Sequence, residues 1–285
     1  MKPRNLQDFF TLKHCQLLRI ISVLIIYFLP AIGSAQSLIP ELIFRNPKLK
    51  TGKGCSAEGR DGAVYIFSDV GYGIDAIVTI LGRSQSQVLL SDVDLPGPEQ
   101  DFVNGTGLDN AWQPRIAFAD GRAPAYESWW MEFNISFVKH TNQNEPVSVN
   151  QFFVSGLDID GDGIQLHEYQ AYYKMHSFTL VHETAIYASS FLGSESDPLL
   201  KGKRFDGPTN DYPGIMVSAE DAIVNNFYTR TPSLIVRLGA ETGFTGSVKA
   251  NRMYGLLFKS MACDIPVNNK IPLNWVSSNK GKSPD

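Results

Sequence analysis

Over residues 128–138 the chain alternates between apolar and polar. Trp129, Met131, Phe133, Ile135 and Phe137 fall on one side, and Ser128, Trp130, Glu132, Asn134 and Ser136 on the other. Successive side chains of a strand point to opposite faces, so this period of two predicts a strand with one buried face. Shorter β-branched and apolar runs surround it. Residues 63–68 and 75–81 read as strands on either side of a Gly71-Tyr72-Gly73 turn. Residues 147–155, 168–174, 177–182, 185–191, 234–238 and 253–259 continue the pattern. Residues 222–228 read as a strand and the overlapping 219–226 as a short helix, and the pattern leaves that choice open. Between 92 and 125, Pro96-Gly97-Pro98, Asn104-Gly105 and Asp120-Gly121 predict long loops around a short strand at 115–119.

Many short strands separated by turn residues predict an all-β fold: an antiparallel β-sandwich, jelly-roll-like, forming a single domain. The expected organisation is a signal peptide at 1–35, a lead-in at 36–60, the sandwich at 61–267 and a tail or linker at 268–285. The leader has three parts. Lys2, Arg4, Lys13 and Arg19 are basic, residues 20–29 are apolar, and Gly33-Ser34-Ala35 suits cleavage. Its apolar run is short of the roughly 20 residues that span a bilayer, so no membrane span is expected after signal removal. The predicted location is extracellular or at the cell surface, with the periplasm also compatible.

Composition narrows the partners. Losing four basic and one acidic residue with the leader takes 25 and 29 charges to 21 and 28, a net −7. No basic patch with interleaved aromatics occurs, which argues against nucleic acid. Cys15 leaves with the leader. Cys55 and Cys263 remain, an even pair in an exported chain, and a disulfide between them is expected.

The densest chemistry lies at 158–168, Asp-Ile-Asp-Gly-Asp-Gly-Ile-Gln-Leu-His-Glu. Calcium is held by oxygen ligands on a sharply turned backbone, and a twelve-residue loop supplies them from positions 1, 3, 5, 7, 9 and 12 with glycine at 6. Asp158, Asp160 and Asp162 fill positions 1, 3 and 5, Gly163 position 6 and the Ile164 carbonyl position 7. Position 12 is Tyr169, and the carboxylate is one residue early at Glu168. The flanks are strand-like, so this is not an ordinary EF-hand. Crowding carboxylates on one turn disfavours each charge, and a Ca2+ ion bound by Asp158, Asp160, Asp162, Ile164 and Glu168 would relieve it. The same residues also suit a solvated turn.

Other candidate chemistry is sparse. His167-Glu168 and His182-Glu183 do not continue to His-Glu-x-x-His, and neither a Gly-x-Ser-x-Gly elbow nor a phosphate-binding glycine loop is present. Glu127, Glu132 and Asp75 are conceivable members of a glycosidase carboxylate pair. Trp130 lies on the polar side of its strand and is a candidate ligand-binding residue, with Trp112 and Tyr126 extending a sugar-stacking platform. The competing reading covers Trp130 from the outer face.

Three groups of segments taken together carry a resemblance. They are Val70-Gly-Tyr-Gly-Ile-Asp-Ala-Ile-Val-Thr-Ile80, then Gly156-Leu-Asp-Ile-Asp-Gly-Asp-Gly163 with Glu168-Tyr169, then Ser233-Leu-Ile-Val-Arg-Leu-Gly239 with Arg252-Met-Tyr-Gly-Leu-Leu-Phe258. Over 61–258 the chain resembles an uncharacterised β-sandwich module of secreted surface proteins from gliding and biofilm-forming Gram-negative bacteria. Residues 271–277 resemble a truncated lead-in to a type IX sorting domain. The resemblance implies adhesion or matrix roles, with a surface polysaccharide or another surface protein as partner. The expected function is a calcium-stabilised binding or adhesion module. The alternative is a carbohydrate-binding module, or a carbohydrate-active hydrolase or lyase, on a jelly-roll scaffold.

Overall fold

A computed structural model describes residues 41–95, 108–244 and 246–261. The leader, the tail and Cys263, with its expected bridge to the half-buried Cys55, lie outside the described residues. In chain order the strands are β1 (Lys48–Leu49), β2 (Val64–Gly71), β3 (Ile74–Arg83), β4 (Val88–Asp92), β5 (Arg115–Ala123), β6 (Ser128–Lys139), β7 (Asn142–Pro146) and β8 (Val149–Leu157). They continue as β9 (Leu166–Tyr173), β10 (Ser177–Thr179), β11 (Tyr187–Leu192), β12 (Lys201–Asp206), β13 (Val224–Thr231), β14 (Ser233–Thr242), β15 (Val248–Met253) and β16 (Gly255–Leu257).

These strands pair into three antiparallel sheets. The large sheet runs β1-β2-β3-β6-β14-β9-β12-β11, with β7 on β6; the second runs β10-β13-β8-β16 and the third β15-β5-β4. The fold is an all-β antiparallel sandwich, as the alternation predicts. Trp129, Met131, Phe133, Ile135 and Phe137 of β6 are all fully buried. Aromatic rings meet across the layers. Phe137 of β6 packs edge-on against Phe152 of β8 at 5.3 Å, and Trp129 meets Phe118 of β5 at 5.7 Å. Such edge-to-face pairs add about 0.5–1.5 kcal/mol each beyond the area they bury.

The Gly71-Tyr72-Gly73 turn forms where expected. Gly71 pairs with Ile74, leaving Tyr72 and Gly73 as a two-residue loop with φ of 57° and 71°. Positive φ at both central residues is the hairpin turn whose twist matches the strands.

Several boundaries differ from the sequence reading. The aperiodic lead-in contributes core residues: Leu42 and Phe44 are fully buried, and Phe44 stacks on Phe258 at 4.1 Å. The 219–226 ambiguity resolves into a 3-10 turn at Glu220–Ala222 followed by β13. Asn225 and Asn226 are drawn into the sheet by register with Ser155 and Val154. Strand β12 reads Lys-Gly-Lys-Arg-Phe-Asp and has no apolar face for a pattern to find. It exists because β9 and β11 pair with it on both edges.

Candidate functional site

The acidic segment is a crossover. It leaves β8 in the second sheet and enters β9 in the large sheet. Ile159 and Leu166 anchor its two ends in the core, both fully buried. Between them the backbone turns sharply, and Gly163 has φ 75°. Gly161 has no room for a side chain, since a Cβ there would lie 2.3 Å from the Leu166 carbonyl and 2.6 Å from Thr209 Cα. That approach lets residues 207–222 clasp the turn. Gly161 N–H donates to Asn210 O at 2.6 Å, Gly163 N–H to Thr209 O at 2.7 Å, and Ile159 N–H to Ala222 O at 2.9 Å.

Three of the four predicted carboxylates turn inward. Asp158, Asp160 and Glu168 are each no more than 2% exposed. Arg252, from β15 of the third sheet, sits among them. It donates Nη2 to Asp160 Oδ1 at 2.7 Å and to the Gly161 carbonyl at 2.8 Å, and Nε to Glu168 Oε1. Asp160 Oδ2 accepts from the Tyr212 N–H at 2.7 Å. One side chain thus joins the third sheet to the junction of the other two.

Asp162 does something different. Its Oδ1 accepts from the N–H groups of Ile164, Gln165 and Leu166 at 2.9, 2.7 and 2.8 Å. It caps the turn, the role short polar residues commonly take there. Burial alone would raise its pKa, but these three amides hold it below the usual carboxylate value. The Ile164 side chain is 77% exposed.

The inner carboxyls are under electrostatic pressure. Burial, then the charges of Asp160 and Glu168, push Asp158 up to about 9. Burial pushes Glu168 up to about 8 although Arg252 pulls it down. Asp160 rises to about 6, burial again outweighing Arg252 and the Tyr212 amide. Two oxygens in the cluster, Asp158 Oδ1 and Glu168 Oε2, are buried without a hydrogen-bond partner. Asp158 itself takes φ 52°, a left-handed conformation unfavourable for most non-glycine residues. Among the described residues no three Asp, Glu, His or Cys side chains already form a ligand set for a metal ion.

The other candidates are dispersed. Trp130 is half-buried, and the Arg237 guanidinium lies 3.7 Å over its ring. Trp112 is fully buried and donates Nε1–H to Val93 O at 2.7 Å, while Tyr126 is 78% exposed. These three rings form no common platform. Glu132 is buried and held by Arg237 Nη2 at 2.8 Å and Ser194 Oγ at 2.6 Å. Asp75 is buried against His140 Nδ1 at 2.6 Å and Gln143 Nε2 at 2.8 Å. In register with β6, Asp75 stands at Val138, six residues from Glu132 and so about 20 Å along the strand. Glu127 Oε1 accepts from Gln85.

Arg252 is the residue the sequence reading missed. Its signal was an arginine heading an otherwise apolar run, Met-Tyr-Gly-Leu-Leu-Phe, of which residues 254–258 are buried. A cation drawn inward with such a run is costly to bury unless it is paired. No protein-family model matches the chain, and no curated protein matches it in sequence. Among the described residues, no helix is long and apolar enough to cross a membrane.

Proposed function

We propose that the chain is an exported β-sandwich serving as a binding or adhesion module for a surface polysaccharide or another surface protein, and that its acidic crossover is a lock stiffened by calcium. The observation that carries this reading is the position of the crossover. Strands of all three sheets meet there, through β8, β9 and Arg252 of β15. A group placed at that junction holds the scaffold that presents the surrounding loops.

Charge supports the calcium part. With Asp158, Asp160 and Glu168 all ionised, one guanidinium leaves the cluster two charges short of neutrality. A single calcium ion has that charge and prefers carboxylate oxygens. The partnerless Asp158 Oδ1 and Glu168 Oε2 are available to it, with Asp162 remaining as the turn cap or swinging its second oxygen inward. Two protons are the competing counter-charge, and the raised pKa values of Asp158 and Glu168 favour them at neutral pH in the absence of a metal.

Calorimetric titration of chelator-treated protein decides between the two. The calcium reading expects one saturable site and a rise in melting temperature that Asp160→Ala abolishes. No heat of binding, or an Asp160→Ala variant stabilised by calcium as much as the parent, would end it.

A further inference from the structure

Beside the crossover lies a cleft of about 440 Å³ whose walls carry opposite charges. Arg122, Lys249 and Asn251 come from β5 and β15, while Asp162, Gln165 and Asp211 face them from the crossover and its clasp. The cationic wall sets two exposed like charges side by side. Lys249 and Arg122 are direct cross-strand partners. Residues so placed have Cβ atoms about 5 Å apart, and like charges there destabilise the pair.

Among the described residues no carboxylate forms a direct ion pair with either side chain. Arg122 donates Nε–H to Ser247 Oγ at 2.8 Å and Nη2–H to the Ser247 carbonyl, both neutral acceptors. Lys249 has no side-chain partner among the described residues. The juxtaposition is set by a backbone irregularity. Residues 118–121 of β5 stand against the single Ala250 of β15. Gly121 takes φ 73°, and the Arg122 N–H is held by Asp120 Oδ1 at 3.2 Å. Bulges of this kind re-aim side chains beside binding sites.

The lining also says what the anion must look like. Asp211 and Asp162 would repel a dense polyanion such as a polyphosphate. They accept hydrogen bonds from hydroxyl groups, and Asn251 both donates and accepts. Among the described residues no aromatic ring lines the cleft, so recognition there falls to charge and hydrogen bonding. The volume is in the range of sites that hold small organic ligands.

We propose that this cleft binds an acidic saccharide, a hydroxyl-rich chain bearing carboxylates, with Lys249 and Arg122 on a carboxylate and Asp211, Asp162 and Asn251 on hydroxyls. The proposal rests on the binding-module reading and deepens it by naming a ligand class.

The test is calorimetric titration of the full chain, in calcium and again in chelator, with trigalacturonate beside its fully methyl-esterified form, which keeps the hydroxyls and removes the charge. The acid is expected to bind, with the ester at least tenfold weaker. Lys249→Glu and Arg122→Glu should each weaken binding tenfold or more without lowering the melting temperature. Lys48→Glu on β1, outside the cleft, should leave affinity unchanged. Failure of trigalacturonate to bind, equal binding of acid and ester, or indifference to both charge reversals overturns the assignment. If trigalacturonate fails while neutral glycans bind on an array, the cleft loses its ligand and the binding-module reading stands.

Discussion

Arg252 donates from Nη2 to Asp160 Oδ1 at 2.7 Å across 92 residues of chain. The same guanidinium reaches Glu168, so removing it leaves buried carboxyls facing one another. Breaking a buried ion pair from one side typically costs about 3–5 kcal/mol. Arg252→Met is expected to lose about 3 kcal/mol at neutral pH, the low end because its side chain is 19% exposed. Arg252→Lys should recover only part of that, because an ammonium cannot match the guanidinium fork. Urea denaturation at constant slope measures both.

Asp158 and Glu168 set a pH dependence. Their folded pKa values, about 9 and about 8, lie above the ordinary 3.8 and 4.5. Between those limits the folded state binds more protons than the unfolded one, so stability falls as pH rises. The loss is bounded by about 1.4 kcal/mol per pH unit for each group. Asp160, raised to about 6, adds to the lower part of that range, and Asp158→Asn removes the largest of the three shifts. Its melting temperature should therefore fall less than the parent's between pH 5 and pH 8.5. If calcium is the counter-ion, it should stabilise the parent more at pH 8.5 than at pH 5, because it competes with protons.

Gly239 on β14 lies beneath the Tyr169 ring. A Cβ there would stand 2.4 Å from the Trp129 carbonyl, 2.7 Å from Trp130 Cβ and 2.8 Å from Tyr169 Cζ. Backbone cannot yield to that approach as a flexible side chain would. Gly239→Ala should destabilise by about 1–3 kcal/mol, the usual cost of overpacking, and should disturb the Arg204 guanidinium stacked 3.7 Å over Tyr169. Thermal melts, with near-ultraviolet circular dichroism on the tyrosine environment, check it.

The pKa values of Asp75 and His140 are displaced in opposite directions. Burial would raise Asp75, but the Asp69 amide and the side chains of His140 and Gln143 hold it below its ordinary value. Its hydrogen bond to Asp75 raises His140. Asp75's contribution to stability is therefore present above pH 3.8 and lost as pH falls through its lower folded value. The share from His140 is present below pH 6.5 and lost as pH rises through its higher one. The proton resonances of His140 should titrate above 6.5 in the parent and return toward it in Asp75→Asn.

Much of the fold was legible along the chain because its signals are local. The β6 alternation needed no partner to be read. The Tyr72-Gly73 turn declared itself through residue type. Strands lacking such signals escaped. In β12 only Phe205 is fully buried, and in β15 the alternation is brief and rests on two small buried residues, Val248 and Ala250. Those strands are held by ladder hydrogen bonds, β12 to β9 and β11, and β15 to the distant β5, and backbone pairing leaves little trace in composition.

The acidic segment divides along the same line. By itself the sequence determined that carboxylates would crowd a glycine-bent turn between two strands, since spacing and turn chemistry act over a few residues. Only the tertiary structure decided that Asp160 and Glu168 face Arg252 and that Lys249 stands directly across from Arg122. Those outcomes depend on which strands lie side by side, and the burial that fixes strand order is collective, so no short stretch of sequence contains it.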